Sequence, residues 1–358
     1  MKKLKLLALS DLHLGEGEGL LYNKGVNIID TAVNKIDELA RGGNGFEGGI
    51  DELVLIGDIV DLSEATEDEA YSNTIVFLTS LLEKVKIDKI IYIAGNHDHH
   101  LWVEMLKNHY NKESYDECNP KTKIVISKPK LFKEKCIPSS YNGEVEAHYP
   151  FYKLKMENST FLFDHGHLFS SLLNRLAGSA GSIEEIEEKT YEFMDALWFK
   201  GKTPWRKRLY DLREKVYDWA RWLTDKIKHP DRKVTFQEDS TPVYDDGLRN
   251  RVIDYLKLAK VNNSEIKDFH LVFGHTHYGG RVLRDDRKVR VNGRFITLWN
   301  TGGWLVPSDV FSPDAYIFYI EQTSDGLKPQ AYKLVGREND EEGDYNKGIL
   351  KDIAKRIG

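Results

Sequence analysis

The sequence predicts an α/β protein with a helical insertion, and three observations support this fold class. Strand-like and helix-like segments alternate over the first hundred residues, which is typical of βαβ units in a largely parallel sheet. From Leu168 to about Lys260 the pattern is almost entirely helical, and strand-like segments return from Phe269 onward. We therefore expect an α/β domain in two parts, with the following divisions: 1–167 for its first part, 168–262 for the insertion or lid, 263–336 for its second part, and 337–358 for a linker and short helix.

Each predicted strand is a short apolar or alternating run that ends at a polar cluster or a turn. The predicted strands are 4–9, 53–56, 90–93, 148–156, 160–163, 271–273, 295–299 and 315–320. The strands at 148–156 and 160–163 are expected to form a hairpin around the turn Glu157-Asn158. Helical spacing of apolar residues predicts helices over 28–39 and 75–85, and Gly42-Gly43 ends the first of them.

Composition narrows the class of protein. The 358 residues are 41% hydrophobic and 30% charged, which is ordinary for a globular protein. The net charge of −6 argues against a protein that coats nucleic acid over its whole surface. Two cysteines are too few for a disulfide scaffold, and no apolar run approaches the ~18–20 residues of a membrane span. We expect a soluble cytoplasmic protein without a transmembrane segment.

Five short segments place metal-ligating residue types directly after predicted strands. In chain order they are Asp11-Leu12-His13, Gly57-Asp58-Ile59-Val60-Asp61, Gly95-Asn96-His97-Asp98, Asp164-His165-Gly166-His167 and Gly274-His275-Thr276-His277. Ligand sites in open α/β sheets assemble at the carboxyl ends of strands. Each segment alone also has a structural explanation: Asp58 suits a strand-end cap and Asn96 a turn. The ordered series, each time after an apolar strand, favours one shared metal site.

This series resembles the calcineurin-like metallophosphoesterase superfamily. The hallmarks of that family are D-x-H, G-D-x-x-D, G-N-H-D/E, a further His, and G-H-x-H, and the matching residues run from Asp11 to His277. The resemblance implies a four-layer α/β/β/α sandwich with a dinuclear metal centre at one edge. Leu62-Ser63 stands where the Ser/Thr protein phosphatases have Arg-Gly, and Asp98 where they have Glu, which argues against that branch.

The resemblance also implies a ligand set. The ligands of one metal would be Asp11, His13 and His277, those of the other Asn96, His165 and His275, and Asp58 would bridge both. His165 is preferred to His167 because the ligand of the family usually stands directly before Gly, and His167 would then lie near the substrate. Carboxylate, imidazole and amide ligands suit two divalent transition metal ions, with Mn²⁺ first and Fe, Zn²⁺ or Co²⁺ as alternatives.

The implied reaction is hydrolysis by a metal-bridged hydroxide. His97 would protonate the leaving group, and Asp61 would orient His97. For Asp61 a helix N-cap is the alternative interpretation. We interpret the neighbouring His99 and His100 as rim or helix-start residues rather than ligands.

The predicted insertion is basic and rich in aromatic residues. Residues 196–233 contain twelve Lys and Arg against five Asp and Glu, and apolar residues recur every three or four positions over 205–227. This pattern predicts a long amphipathic helix. The helix either packs on the domain beneath it or forms a lid whose basic face attracts an anionic substrate. The candidate substrate-binding residues there are Arg206, Lys207, Arg208 and Arg213.

The function that follows is a metal-dependent hydrolase of phosphate esters, as a phosphodiesterase, pyrophosphatase or phosphatase. The expected partner is a phosphorylated small-molecule or lipid-linked substrate. A nuclease acting on single-stranded or damaged nucleic acid is the alternative, because basic charge with interleaved aromatics suits single strands. A non-catalytic scaffold on the same fold is a third hypothesis, against which the complete ligand set argues.

Overall fold

A computed structural model defines the fold of the greater part of the chain. It describes residues 4–15, 19–21, 28–41, 49–63, 65–118, 124–169, 181–189, 246–261, 268–275, 280–281, 289–291, 294–304, 314–324 and 326–335. The predicted helix at 205–227, the four basic residues chosen on it, His277 and the predicted tail at 337–358 lie outside these ranges. The division of the chain into domain parts and an insertion stays a prediction.

Strands and helices alternate in the first part of the chain. The described strands are β1 (Leu4–Leu9), β2 (Gly49–Ile56), β3 (Lys86–Ile93), β4 (Ile124–Ile126), β5 (Glu144–Tyr149), β6 (Phe151–Met156), β7 (Ser159–Asp164), β8 (Phe269–Phe273), β9 (Gly280–Arg281), β10 (Val289–Val291), β11 (Arg294–Asn300), β12 (Gly302–Gly303), β13 (Asp314–Thr323) and β14 (Gly326–Val335). The described helices are α1 (Ile29–Arg41), α2 (Glu67–Lys84), α3 (His99–Tyr110), α4 (Tyr115–Cys118), α5 (Lys130–Cys136) and α6 (Asp246–Leu258). A 3-10 turn at His167–Phe169 and a helical segment at 183–189 complete the set.

The strands form two sheets. The first has the order β12-β13-β1-β2-β3-β5-β4, with β14 paired to β13, and its strands β1, β2, β3 and β5 are parallel. The second has the order β10-β11-β8-β7-β6, with β9 paired to β11. Its strands β7, β8 and β11 are parallel to one another. Parallel strands end at the same edge of a sheet. The segments that follow β1, β2, β3, β7 and β8 therefore lie near one another at that edge.

The two sheets pack face to face with helices outside them. One buried cluster joins alternate residues of the first sheet, such as Leu6 and Val54, to Phe163 and Val272 of the second. The opposite face of the first sheet packs on α1, α2 and α3, and the opposite face of the second packs on α6 and the segment 183–189. These contacts make the four layers α/β/β/α, so the predicted fold class is confirmed.

One predicted strand is wrong in an informative way. The alternating run at 148–156 is not a single strand, because β5 ends at Tyr149 in the first sheet and β6 begins at Phe151 in the second. Pro150 lies between them and has no N–H to donate to a strand ladder. The predicted hairpin itself is confirmed as β6 and β7, which pair antiparallel from Phe151–Asp164 to Met156–Ser159.

Helix α2 is longer than the apolar spacing predicts. It begins at Glu67 rather than at residue 75, and Thr66 is its N-cap, whose side chain accepts a hydrogen bond from the Glu69 N–H. Acidic residues fill its first turn, where they interact favourably with the helix dipole.

Within the described residues, every helix is too short or too polar to span a membrane.

Candidate metal centre

The structure brings the described members of the ligand series together where strands of both sheets end. Asp11 and His13 follow β1, Asp58 follows β2, and the remaining members, Asn96, His165 and His275, follow β3, β7 and β8. Hydrogen bonds from the loop after β8 join it to the loop after β7 and to Asp11, which follows β1 of the other sheet. The Gly274 N–H donates to the His165 carbonyl at 3.1 Å, and the His275 N–H lies 3.0 Å from both carboxylate oxygens of Asp11.

Three groups of side chains place their donor atoms within 4.8 Å of one another. The groups are Asp11 with His13 and Asp58, Asp58 with His165 and His275, and His13 with Asp61 and His97. Asp58 belongs to the first two groups, which is the arrangement that a carboxylate between two cations requires. The donor atoms of carboxylates and imidazoles fit divalent transition metals, and no thiolate is among them.

Several of these residues have unusual backbone conformations. Asp11, His13, Asp58 and His275 have φ values of 49°, 45°, 51° and 64°, in the left-handed region that side chains other than glycine rarely adopt. Such conformations persist only where the surrounding structure holds them, and they cluster at functional sites. A Cβ at Gly95 would overlap the Asp58 carboxylate and lie 2.6 Å from the Asp58 backbone nitrogen. This position therefore requires glycine.

The ring of His165 is oriented in the manner of metal-bound histidines. Its Nδ1 lies 3.0 Å from the carbonyl oxygen of Ile56, to which it donates, so Nε2 is directed at the other candidate ligands. Nε2 lies 3.1 Å from Asn96 Oδ1 and 3.1 Å from Asp58 Oδ2. His167 belongs to none of the three donor groups; its Nε2 lies 3.4 Å from the Tyr149 hydroxyl.

Buried charges dominate the electrostatics of the cluster. Burial would raise the pKa of Asp58, but the neighbouring imidazoles of His165 and His97 hold it well below its ordinary value. For His165 the signs are reversed: burial lowers its pKa, but the negative charge of Asp58 raises it to about 10. Burial and the charges of His165 and His275 hold the pKa of His167 well below its ordinary value. The buried carboxylates thus favour positive charge at the site.

His97 is the member of the third group that reaches solvent. Its side chain is 27% exposed, whereas His13 and Asp61 are buried. Its Nδ1 lies 2.7 Å from Ser63 Oγ and 3.2 Å from Asp61 Oδ2. Because Ser63 Oγ donates to Asp61 Oδ1, its oxygen accepts from His97 Nδ1, and the other ring nitrogen takes no part in these contacts. Burial lowers the pKa of His97, but Asp61 and Asp58 raise it to about 9.

Asp61 supports two histidines at once. Its Oδ2 lies 2.8 Å from His13 Nδ1 as well as 3.2 Å from His97, and its Oδ1 accepts from the backbone N–H of Ser63. The N-cap interpretation of Asp61 is wrong, because Thr66 caps α2.

Asp98 ties two of the loops together. Its Oδ1 accepts from the Gly95 N–H at 2.6 Å and its Oδ2 from the Ile59 N–H at 3.0 Å. These bonds connect the loop after β3 to the loop after β2, and so hold Asn96 near Asp58. In the sequence, Asp98 serves only to distinguish branches of the resembling family. Its place in the segment Gly95-Asn96-His97-Asp98, behind a predicted strand, was the signal that the sequence offered for a structural role.

Comparison with known proteins identifies the family. The sequence of residues 4–279, about three quarters of the chain, matches the family described as calcineurin-like phosphoesterase. The chain belongs to this family. The resemblance drawn from the five segments is therefore confirmed.

The solved structures similar to this calcineurin-like phosphoesterase are distant in sequence. A single mutant of Vps29 from Entamoeba histolytica is 10% identical, covers 93% of this chain and 99% of its own, and has a TM-score of 0.30. Wild-type Vps29 of that organism, in complex with Zn²⁺, has a TM-score of 0.29 at 10% identity with the same coverage. Vacuolar protein sorting 29 from Cryptosporidium parvum is 9% identical, covers 93% of this chain and 97% of its own, and has a TM-score of 0.31. Scores this low carry no argument about function, and no curated protein is significantly similar in sequence.

Proposed function

We propose that this calcineurin-like phosphoesterase is an enzyme that hydrolyses phosphate esters with two divalent transition metal ions. One observation carries the proposal: two groups of metal-ligating side chains share Asp58, and the partly exposed imidazole of His97 lies beside them. The residues proposed for one metal are Asp11, His13, Asp58 and His277, and those for the other are Asp58, Asn96, His165 and His275. We propose Mn²⁺ as the native metal, with Fe, Zn²⁺ and Co²⁺ as alternatives.

When bound, two such cations polarise phosphoryl oxygens and lower the pKa of water. The protein residues supply the proton that the leaving group needs. Asp61 and Ser63 hold His97 through Nδ1, so its Nε2 is free to give a proton to the leaving-group oxygen. The partial exposure of His97 supports this role, because a proton donor has to reach the substrate.

The phosphoryl group is the part of the substrate that the site recognises. His167 and the basic residues Arg206, Lys207, Arg208 and Arg213 are proposed to contact it or the attached group. The following experiment distinguishes a phosphodiester, a phosphomonoester and a nucleic-acid strand as the substrate.

The test compares metal-loaded and metal-free protein on three substrates: bis(p-nitrophenyl) phosphate, p-nitrophenyl phosphate and single-stranded DNA. We expect hydrolysis in Mn²⁺ that EDTA abolishes and that added Mn²⁺, Zn²⁺ or Co²⁺ restores. Preference for the diester indicates a phosphodiesterase, preference for the monoester indicates a phosphatase, and strand cleavage that weakens steeply with salt indicates a nuclease. Two bound metals without turnover of any of the three would contradict the proposal and support a scaffold.

A further inference from the structure

A buried polar chain connects the predicted insertion to the neighbourhood of the metal centre. Glu187 lies in the helical segment 183–189 and is 4% exposed. Its Oε1 accepts from His99 Nε2 at 2.8 Å and from the Tyr115 hydroxyl at 3.2 Å, and its Oε2 accepts from the Tyr149 hydroxyl. An unpaired buried carboxylate would be strongly unfavourable, but these three donors satisfy Glu187.

The contact of Tyr149 with His167 has a defined polarity. A tyrosine hydroxyl has one hydrogen, and Tyr149 donates it to Glu187. Its oxygen is therefore the acceptor in the 3.4 Å contact with His167 Nε2, so that nitrogen carries a hydrogen. In a neutral imidazole the other nitrogen then has a lone pair.

His167 lies next to the candidate ligands. Its ring centroid is 5.3 Å from that of His165 and 6.5 Å from that of His275. The side chain is fully buried, and its Nδ1 has no hydrogen-bond partner within the part of the chain that the structure describes. A buried nitrogen of this kind calls for a donor that the protein residues described here do not provide.

We propose that Glu187 is a positioning residue for the site. From the insertion, it fixes the Tyr149 hydroxyl and through it holds His167 with Nδ1 as a hydrogen-bond acceptor for a water or hydroxyl group at the metal centre. Carboxylates that orient histidines at metal sites act in the same way, and here a tyrosine stands between the two. Packing of the helical segment 183–189 is thereby coupled to the state of the site. The expected effect of Glu187 on turnover rests on the proposed function, whereas its expected effect on the His167 tautomer does not.

The first test observes His167 directly. Protein with ¹⁵N-labelled histidine, loaded with Zn²⁺, is studied by long-range ¹H–¹⁵N NMR, and His167→Gln identifies the signal of that ring. In the wild type we expect hydrogen on Nε2. In Glu187→Ala the Tyr149 hydroxyl is released and donates to His167, so the hydrogen moves to Nδ1. Tyr149→Phe removes the acceptor but keeps the ring that stacks on Trp102, and a mixture of both tautomers is expected.

The second test measures hydrolysis by the same variants. Glu187→Ala and Tyr149→Phe are each expected to lower kcat/KM by about 10–100-fold. The double variant should lose no more than either single one, because both act through one chain of contacts. Tyr152→Phe is the matched control, since it removes a tyrosine–glutamate hydrogen bond of 2.9 Å, to Glu52, that does not reach His167. It should retain wild-type activity.

The outcomes separate this inference from the proposed function. An active wild type whose His167 tautomer is unchanged in both variants overturns the inference and leaves the function intact. A wild type that hydrolyses no ester, with the tautomer reversed in Glu187→Ala, overturns the function and supports the inference. Losses of kcat/KM that simply add in the double variant, or that appear equally in Tyr152→Phe, indicate that Glu187 and Tyr149 have a general structural role. Either result overturns the inference.

Discussion

Asp58 has contacts that reach across the whole candidate metal centre. Its Oδ1 accepts from the His97 backbone N–H at 2.8 Å, its Oδ2 lies 3.1 Å from His165 Nε2, and its backbone carbonyl accepts from the His13 N–H. The side chain and backbone of this one residue thus connect segments that follow three different strands, β1, β3 and β7. A change at this position affects the charge of the site more than its shape.

Asp58→Asn is expected to lower metal affinity and kcat/KM together, by about 10²-fold or more, which exceeds the losses typical of residues that only support a ligand. The reason is that the amide keeps the volume of the carboxylate but removes its charge from between two cation sites. Metal content after dialysis and turnover in Mn²⁺ measure the two effects. Asp51→Asn is the control, since Asp51 forms a partly exposed ion pair with Lys5. Loss of metal without loss of activity would contradict the role of Asp58.

His97→Ala is expected to lower kcat by about 10²–10⁴-fold for an alkyl phosphate ester and much less for a p-nitrophenyl ester. An alkoxide leaving group needs a proton, whereas nitrophenolate leaves readily without one. Rates on the two esters give the comparison, and the exposed His109 of α3, changed to Ala, is the control. Equal losses on both esters would assign His97 a structural role instead of proton donation.

At the scale of elements, the site depends on how helices and loops begin after each strand. The loop after β2 turns through Asp58 and Asp61 before α2 begins at Glu67, and the loop after β3 leads directly into α3 at His99. His99 begins α3, as the sequence predicts, but it is buried and donates to Glu187 instead of lying at a rim. In the loop after β2, Asp61 contacts the histidines of the candidate metal centre and Thr66 caps α2, so different residues of one loop have the two roles.

Thr66→Ala is expected to lower the free energy of unfolding by about 1 kcal/mol, because the Glu69 N–H loses its acceptor at the start of α2. Thr66→Ser keeps the hydroxyl and should stay close to the wild type. Urea unfolding measures both variants, and activity should be retained in both. An equal loss in Thr66→Ser would show that the hydroxyl is not the stabilising group.

At the scale of the whole molecule, the candidate metal centre joins the two sheets. Asp11 and Asp58 follow strands of the first sheet, and His165 and His275 follow strands of the second. A cation bound between them connects both halves of the sandwich in the folded state only. Metal binding should therefore stabilise the entire fold and not one loop alone.

Metal at about 100 times its dissociation constant is expected to stabilise the folded protein by about 2.7 kcal/mol for each site filled. Unfolding by urea in Mn²⁺ and in EDTA measures the difference. Asp58→Asn should show much less of this stabilisation than the wild type. A wild-type protein that unfolds identically with and without metal would contradict a metal centre between the sheets.

The sequence by itself determined the family and named the candidate ligands. Short apolar runs predicted the strands at 4–9 and 90–93, and the polar segments behind them predicted the candidate ligands that the structure brings together. These features are local, because a strand and the loop that follows it are encoded by adjacent residues. The placement of His277 and of the basic residues of the insertion stays a prediction.

Only the tertiary structure decided which partners each side chain has. The break at Pro150 between two sheets, the bonds of Asp98 to Gly95 and Ile59, and the contact of Glu187 with Tyr149 did not follow from any local pattern. Glu187 and Tyr149 are 38 residues apart, and hydrogen bonds over such separations depend on how the layers pack. Periodicity reports which face of an element is buried, but not which distant group it meets there.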